Sequence, residues 1–352
     1  MNMMRKLLLI SAALLASGCL SYGEMPLRYL ERGNHWSQQH NYTRAIAEFN
    51  KAIDLDKSFV KAYLARGNAY AENGDLEHAI ADYNHAIDID PKSTQAFFFR
   101  GLAWYEKGLF DLSMNDYDYV LNLDPRYVNA YINRAAIHAI QGNTELAVED
   151  YNKALEIDNQ CIAAIIGLGF IANEKKDYDR AISYCNKALT ISPASPNAYA
   201  ERGRAWSMQG DYDRAISDFT KALELAPNND WLYDNRGYVY AEKGLHDQAI
   251  SDFTKAIEIA PLNYYAYNNR GYTLYEKGVY DRAIDDFDKC IHINPEFAEA
   301  YENRSKAWKS LSNLPKAFAD AEKAAALDPQ NKEYRDLLEE IKRETKTVAP
   351  IK

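Results

Sequence analysis

Large apolar side chains return at fixed intervals along most of the chain. Between residues 196 and 229, Tyr199, Trp206 and Phe219 stand at positions 4, 11 and 24, and small residues stand at positions 8, 20 and 27. Spacings of three, four and seven residues are typical of one face of an α-helix. The segment therefore predicts two amphipathic helices, and the small residues allow them to approach each other closely.

The same pattern recurs every 34 residues without insertion or deletion, in frames that start at residues 26, 60, 94, 128, 162, 196, 230, 264 and 298. A glycine at position 15 of six frames predicts the end of the first helix. A proline at position 32 of seven frames predicts the end of the second helix. One helix pair buries too little apolar surface alone, so we expect neighbouring pairs to stack.

A 34-residue period with aromatic, small, Ala and Pro residues at these positions resembles the tetratricopeptide repeat. The resemblance covers residues 26–331 and implies an all-α fold, a right-handed α-solenoid of nine stacked helix pairs. Residues 332–352 are predicted to form a capping helix and tail, with Tyr334, Leu337, Leu338 and Ile341 as the apolar stripe of the helix. The family resemblance also implies a concave groove, lined by the first helices, in which proteins or peptides bind.

Oppositely charged residues recur together in the repeats. Position 7 is Arg and position 23 is acidic in the same eight frames, whereas the fifth frame has Leu168 and Tyr184 in these places. Because both charges are lost together, we predict that they pair within one repeat. A pairing between adjacent repeats would leave one unpaired charge on each side. We interpret these residues as structural ion pairs rather than as a functional site.

The N-terminal residues 1–18 have the composition of an export signal. Arg5 and Lys6 precede an apolar run of ten residues, which is too short to span a bilayer, and small residues precede Cys19. The stretch from Leu15 to Cys19 resembles the lipobox of bacterial lipoproteins. That resemblance implies a lipid on Cys19, a lipidated linker at residues 19–25 and, with Leu20 next, the periplasmic side of the outer membrane. Cleavage by ordinary signal peptidase is the alternative, which would leave the protein periplasmic or secreted.

Composition and motifs restrict the classes of function. The chain has 41 Lys and Arg against 51 Asp and Glu, and a net charge of −10 would repel nucleic acid. Its four cysteines are too few for a disulfide framework, and Cys185 and Cys290 occupy predicted core positions. The sequence contains no GxxxxGK[ST], HExxH or GxSxG motif. We therefore predict no catalytic residue, no metal site, no cofactor and no enzymatic activity.

The groove implied by the resemblance would be lined by positions 2, 5, 6, 9, 12 and 13 of the first helices. A solvated helix face is normally polar. In repeats three to five this face is apolar instead, with Phe98, Phe99, Leu102, Ile132, Ile140, Ile166 and Phe170. The run from Ile162 to Ala172 has no polar side chain, so we expect a client protein, a second copy or the tail to cover it.

Repeats seven to nine carry aromatic and amide residues on the same face, namely Trp231, Asn235, Tyr238, Tyr265, Asn269, Tyr272 and Asn303. Repeated amides are able to hydrogen-bond the backbone of an extended peptide, although asparagine also suits a solvated helix face. Five acids on this face outnumber two lysines, which favours a basic or neutral ligand; they are Asp234, Glu242, Glu276, Glu299 and Glu302 against Lys306 and Lys309.

Together these features predict a non-catalytic scaffold, tethered by lipid to the periplasmic face of a bacterial membrane, that binds proteins or peptides. The resemblance to lipoproteins of this architecture implies a role like that of secretin pilotins or adaptors of peptidoglycan hydrolases. The alternative is a self-associating structural protein that uses the apolar groove of repeats three to five as a dimer interface.

Overall fold

A computed structural model describes residues 25–348, which form nineteen α-helices and contain no strand. The chain divides into two compact units, one ending at Ala164 and one starting at Ile165. The first eight helices are α1 Met25–Gln38, α2 Tyr42–Leu55, α3 Val60–Glu72, α4 Leu76–Ile89, α5 Thr94–Glu106, α6 Phe110–Leu123, α7 Val128–Ile140 and α8 Thr144–Ile157. Helix α9, Ile162–Glu174, contains the division between the two units.

The second unit continues with ten further helices. They are α10 Tyr178–Ile191, α11 Pro196–Met208, α12 Tyr212–Leu225, α13 Asp230–Glu242, α14 His246–Ile259, α15 Tyr264–Glu276, α16 Tyr280–Ile293, α17 Ala298–Ser310, α18 Leu314–Leu327 and α19 Lys332–Val348. In each unit the two helices of a repeat pack against each other and successive pairs stack. The predicted all-α fold of stacked helix pairs is therefore confirmed.

The helices start where the 34-residue frame places them. Eight first helices begin at position 1 of their repeat, and all nine second helices begin at position 17. Position 15, between the two helices, has a positive φ in every repeat, between 73° and 82° where the residue is glycine. His40, Lys176 and Ser312 adopt the same left-handed conformation in the three repeats that lack this glycine.

The core lies between the two helices of each repeat. The large residue at position 24 is buried in the second helix, as Phe253 is in repeat seven. The small residue at position 8 makes room for it, since a Cβ atom added to Gly237 would lie 2.9 Å from the Phe253 ring. In repeat six, Tyr199 and Trp206, at positions 4 and 11, are partly buried and pack against the core cluster that contains Phe219.

The C-terminal helix α19 caps the last repeat. It begins 34 residues after the start of α17, as the first helix of a tenth repeat would. Leu337 and Ile341 are buried against Ala317 and Ala321 of α18, and Leu338 packs at the edge of this cluster. The predicted cap is confirmed, except that Tyr334 lies in a pocket described below rather than in this cluster. No helix within residues 25–348 has the length and apolarity needed to cross a membrane.

Candidate functional site

In seven of the nine repeats, the Arg and the acid form a two-pronged ion pair between the two helices. In repeat seven, Arg236 Nε lies 2.7 Å from Asp252 Oδ2, and Arg236 Nη2 donates to Asp252 Oδ1 at 2.9 Å. The same fork occurs in repeats two, three, four, six, eight and nine, and a single contact of 3.1 Å joins Arg32 to Glu48 in the first repeat. The predicted pairing within repeats is confirmed.

Each fork also reaches the preceding repeat, which the sequence pattern did not predict. Arg236 Nη1 donates to Thr220 Oγ1 at 3.0 Å, and Arg270 makes the equivalent bond to Thr254 Oγ1 at 3.0 Å. The acceptor is the residue at position 25 of the preceding repeat, and it is Asn, Thr or Asp in different repeats. The arginines therefore hold neighbouring repeats together, and their role is structural.

Phe98 is part of the core, so the expectation that it projects into a groove is wrong. Only 7% of its surface is exposed, and its ring lies 5.9 Å from that of Tyr117 and 5.1 Å from that of Tyr127. Tyr127 precedes the next repeat. Ala130 and Ile137 of repeat four belong to the same cluster, so Phe98 is covered by the stacking of repeat four on repeat three.

The other apolar residues expected in the groove of repeats three to five are exposed to different degrees. Phe99 is half-buried and its ring lies 6.0 Å from that of Tyr83, whereas Leu102 packs against the cluster that contains Phe98. Ile132 and Ile166 are half-buried, and Ile140 is 55% exposed.

Phe170 is also half-buried, and the guanidinium of Arg204 lies 5.6 Å from the centre of its ring. Along the apolar run, Ile165, Leu168 and Ile171 are buried. The exposed apolar surface of repeats three to five is therefore smaller than the sequence predicts, and it needs less cover from a client, a second copy or the tail.

Repeats seven and eight expose the four aromatic residues that were predicted to line the groove. Trp231, Tyr238, Tyr265 and Tyr272 each expose between 43% and 52% of their surface. Trp231 and Tyr265 stand at position 2 of α13 and α15, and Tyr238 and Tyr272 stand seven residues further along the same helices. The aromatic residues therefore form two rows that run from α13 to α15. One row consists of Trp231 and Tyr265, and the other consists of Tyr238 and Tyr272. We call this surface, which comprises these four residues, the aromatic face.

The asparagines between these rows are not equivalent, contrary to the regular arrangement expected from the sequence. Asn235 Nδ2 donates to the Trp231 carbonyl at 2.7 Å, and Asn269 Nδ2 donates to Asp234 Oδ1 at 3.1 Å. Asn303 is buried, and its Nδ2 donates to Asn268 Oδ1 at 3.1 Å. Each amide nitrogen therefore already donates a hydrogen bond inside the protein.

Asp234 stands at position 5 of α13, between the positions of the two aromatic rows, and no Lys or Arg within residues 25–348 forms an ion pair with it. The pKa of its carboxyl is raised from 3.8 to about 6, mainly by burial and to a smaller extent by the nearby Asp230, and the hydrogen bond from Asn269 opposes this rise. The carboxyl is thus partly protonated near neutral pH.

A pocket of about 540 Å³ opens beside the aromatic face, between helices α13, α15 and α17 and the cap α19. Tyr238, Tyr272 and Tyr334 line it, together with five glutamates, Glu242, Glu276, Glu299, Glu302 and Glu333, and one lysine, Lys306. We call it the acidic pocket. Lys306 Nζ contacts Glu302 Oε1 at 2.8 Å, so that one glutamate is paired. The pKa of Tyr272 is raised by burial and by the carboxylate of Glu276.

The cysteines and the possible metal ligands do not form a chemical site within the described residues. Cys185 and Cys290 are buried, and burial raises the pKa of each thiol to about 12, which suits a core position and not a nucleophile. No group of His, Cys, Asp or Glu in residues 25–348 is arranged to hold a metal ion. Cys19 lies outside the residues that the structure describes.

Comparisons with known proteins agree with the helix pattern. Family models described as TPR repeat match residues 33–74 and 67–108, and models described as tetratricopeptide repeat match residues 128–161, 168–234, 219–251 and 264–297. Together these matches span more than half of the chain. No curated protein matches the chain significantly in sequence.

Two solved structures show the same arrangement of helices. A tetratricopeptide repeat protein from Parabacteroides merdae is 21% identical, with a TM-score of 0.57, and the match covers 71% of this chain and 99% of that one. The Pseudomonas aeruginosa pilF protein is 22% identical, with a TM-score of 0.53, and the match covers 60% of this chain and 97% of that one. At these identities the likeness concerns the fold.

Proposed function

The chain belongs to the tetratricopeptide repeat family, and we propose that it is a non-catalytic interaction scaffold that binds protein segments on its aromatic face. The observation that carries this proposal is the set of four large aromatic side chains left about half exposed on one face of repeats seven and eight. Tyrosine and tryptophan supply large contact areas at a small cost in conformational entropy, and they dominate binding energy at many interfaces.

The proposed binding surface lies in repeats seven to nine rather than in repeats three to five. The structure uses Phe98 in the core and half-buries Phe99 and Phe170, so less apolar area is free there than the sequence predicts. The same burial removes much of the surface on which the alternative, self-association through repeats three to five, would depend.

We further propose that lipid on Cys19 tethers this scaffold to the periplasmic face of a bacterial outer membrane. The lipobox-like sequence before Cys19 supports this proposal. Six residues separate Cys19 from Pro26, and they reach at most about 20 Å when fully extended. The first repeat would then stay close to the membrane, as would suit a pilotin-like or hydrolase-adaptor-like role with a membrane-bound client.

Site-specific photo-crosslinking in cells tests the scaffold. A photoreactive amino acid replaces Tyr238 or Tyr265 on the aromatic face, and Tyr119, an exposed residue of the second helix α6, serves as the matched control position. We expect the first two positions to yield a crosslinked product of one common mass, and the control to yield none. Products of equal yield from all three positions would contradict a binding role for the aromatic face.

Mass spectrometry of the intact protein tests the anchor separately. The native protein should lack residues 1–18 and carry acyl chains on Cys19, whereas Cys19→Ala should carry none and leave the membrane fraction. A native protein without lipid that is released with the periplasmic contents would contradict the anchor and leave the scaffold proposal in place.

A further inference from the structure

The aromatic face continues into an exposed apolar edge at the start of helix α15. Leu262, in the turn before this helix, is 77% exposed. The ring of Tyr265 lies 4.2 Å from that of Tyr264 and packs edge-on against Phe297, with centroids 5.5 Å apart. These contacts hold the Tyr265 ring in place. Leu262 is three residues earlier in the chain, so the edge offers a fixed platform for an apolar side chain.

The acidic pocket lies at the other end of the same helix, and most of its charge is not neutralised within the protein. In the described part of the chain, no Lys or Arg forms an ion pair with Glu242, Glu276 or Glu333. The adjacent outer surface differs, because Lys243 contacts Asp213 and Lys277 contacts Asp247 of the preceding repeat. Carboxylates without an ion-pair partner, beside tyrosine rings, favour a cationic ligand group. Such a group would form charge-assisted hydrogen bonds with the carboxylates and cation–π contacts with the rings.

The length of helix α15 sets the distance between these two features. Tyr265 and Glu276 are eleven residues apart on the helix, which corresponds to about 16 Å along its axis. An extended peptide covers that distance in about four or five residues.

We propose that this surface takes an extended peptide segment with an apolar side chain on the Tyr265 edge and one or two Lys or Arg residues in the acidic pocket, about four or five residues away. This inference rests on the proposed scaffold function and specifies its ligand. Acidic peptides, nucleic acid and anionic lipid surfaces would all meet repulsion from Glu242, Glu276 and Glu333.

Fluorescence anisotropy with three labelled twelve-residue peptides tests the proposal on the full-length protein. The first peptide has one Leu five residues before a Lys pair, the second has the Lys pair replaced by a Glu pair, and the third has the Leu replaced by Ser. We expect the first peptide to bind at least tenfold more tightly than either of the others. Its affinity should fall as the salt concentration rises.

Charge-reversal variants locate the binding site. Glu242→Lys with Glu276→Lys should weaken binding of the first peptide at least tenfold. The control, Asp285→Lys with Glu322→Lys, changes the net charge equally on exposed positions of the second helices α16 and α18 that do not line the pocket. It should change the affinity less than threefold, since only screened long-range attraction is lost.

Three results would overturn the inference. Equal binding of the Lys and Glu peptides would show that the ligand is not selected by charge. Equal weakening by the two double variants would place the peptide outside the acidic pocket. Failure of all three peptides to bind, while Tyr265 still crosslinks a partner in cells, would contradict this ligand class and leave the scaffold function standing.

Discussion

At the scale of single residues, position 15 of every repeat needs a backbone conformation that glycine adopts without strain. Six repeats have glycine there, but His40, Lys176 and Ser312 hold the same positive φ of 56° to 60°. A side chain in this conformation costs roughly 1 to 2 kcal/mol. Repeats one, five and nine therefore each carry a local strain that the other repeats lack.

Replacing one of these residues by glycine should stabilise the protein. We expect Lys176→Gly to increase the free energy of unfolding by about 1 kcal/mol, because the relief of strain exceeds the added entropy of the unfolded chain. Urea unfolding followed by circular dichroism measures the change. The reverse substitution, Gly210→Ala, should destabilise by a similar amount, and a loss of stability in both variants would contradict this account.

Asp234 should make stability depend on pH. Its folded-state pKa of about 6 exceeds the ordinary value of 3.8, so the native state binds the proton more tightly than the unfolded state. The contribution of this carboxyl is therefore fully present below about pH 3.8 and is lost as pH rises through about 6.

The substitution Asp234→Asn removes this pH dependence and keeps an oxygen that accepts the bond from Asn269. We expect it to stabilise the protein at pH 7.5 by up to about 3 kcal/mol and to have little effect at pH 3.5. Urea midpoints at the two pH values provide the measurement, with Asp285→Asn on the exposed surface as a control. An equal effect at both pH values would show that the carboxyl is not the cause.

At the scale of the helix pair, the Arg–Asp forks set the relative position of the two helices. The side chains of Arg236 and Asp252 are largely buried, so removal of one partner leaves the other charge unpaired in the interior. Repeat five shows that the fold accepts an apolar pair instead, with Leu168 buried and Tyr184 packed at the edge of the core.

The fork should therefore behave as a unit. We expect Arg236→Leu and Asp252→Leu each to cost about 3 kcal/mol, and the double variant to cost less than either single one. A double-mutant cycle by urea unfolding measures the coupling. The exposed pair Lys255 and Glu258 is the control, with an expected coupling below about 1 kcal/mol. Additive losses at Arg236 and Asp252 would contradict the coupled ion pair.

The sequence was sufficient to predict the contacts within one helix pair. It did not predict the contacts between one helix pair and the next. The 34-residue period predicts the helices, the turn at position 15 and the Arg–acid pairing, because each follows from contacts inside a repeat. The burial of Phe98 and the bond from Arg236 to Thr220 depend on how repeats stack, which a helical projection does not contain. For the same reason the acidic pocket was only partly predicted, since Tyr334 enters it from the cap.

At the scale of the whole molecule, we expect the protein to be a monomer. The net charge of −10 opposes association of like chains, and part of the apolar surface of repeats three to five is used in packing. Light scattering of the protein without residues 1–18 should give the mass of one chain. A dimer that Ile140→Ser and Phe170→Ser together convert to a monomer would instead support the self-associating alternative.

The hydrogen bonds that join each arginine to the preceding repeat affect how the gene can gain or lose repeats. The acceptor at position 25 differs between repeats. Asn186, Thr220 and Thr254 nevertheless each accept a hydrogen bond from the arginine of the next repeat. Loss of the 34 codons for residues 230–263 would bring Arg270 opposite Thr220, where an equivalent bond forms. Unequal recombination is thus free to remove or duplicate whole repeats in this region, and the number of binding positions is able to evolve faster than the fold.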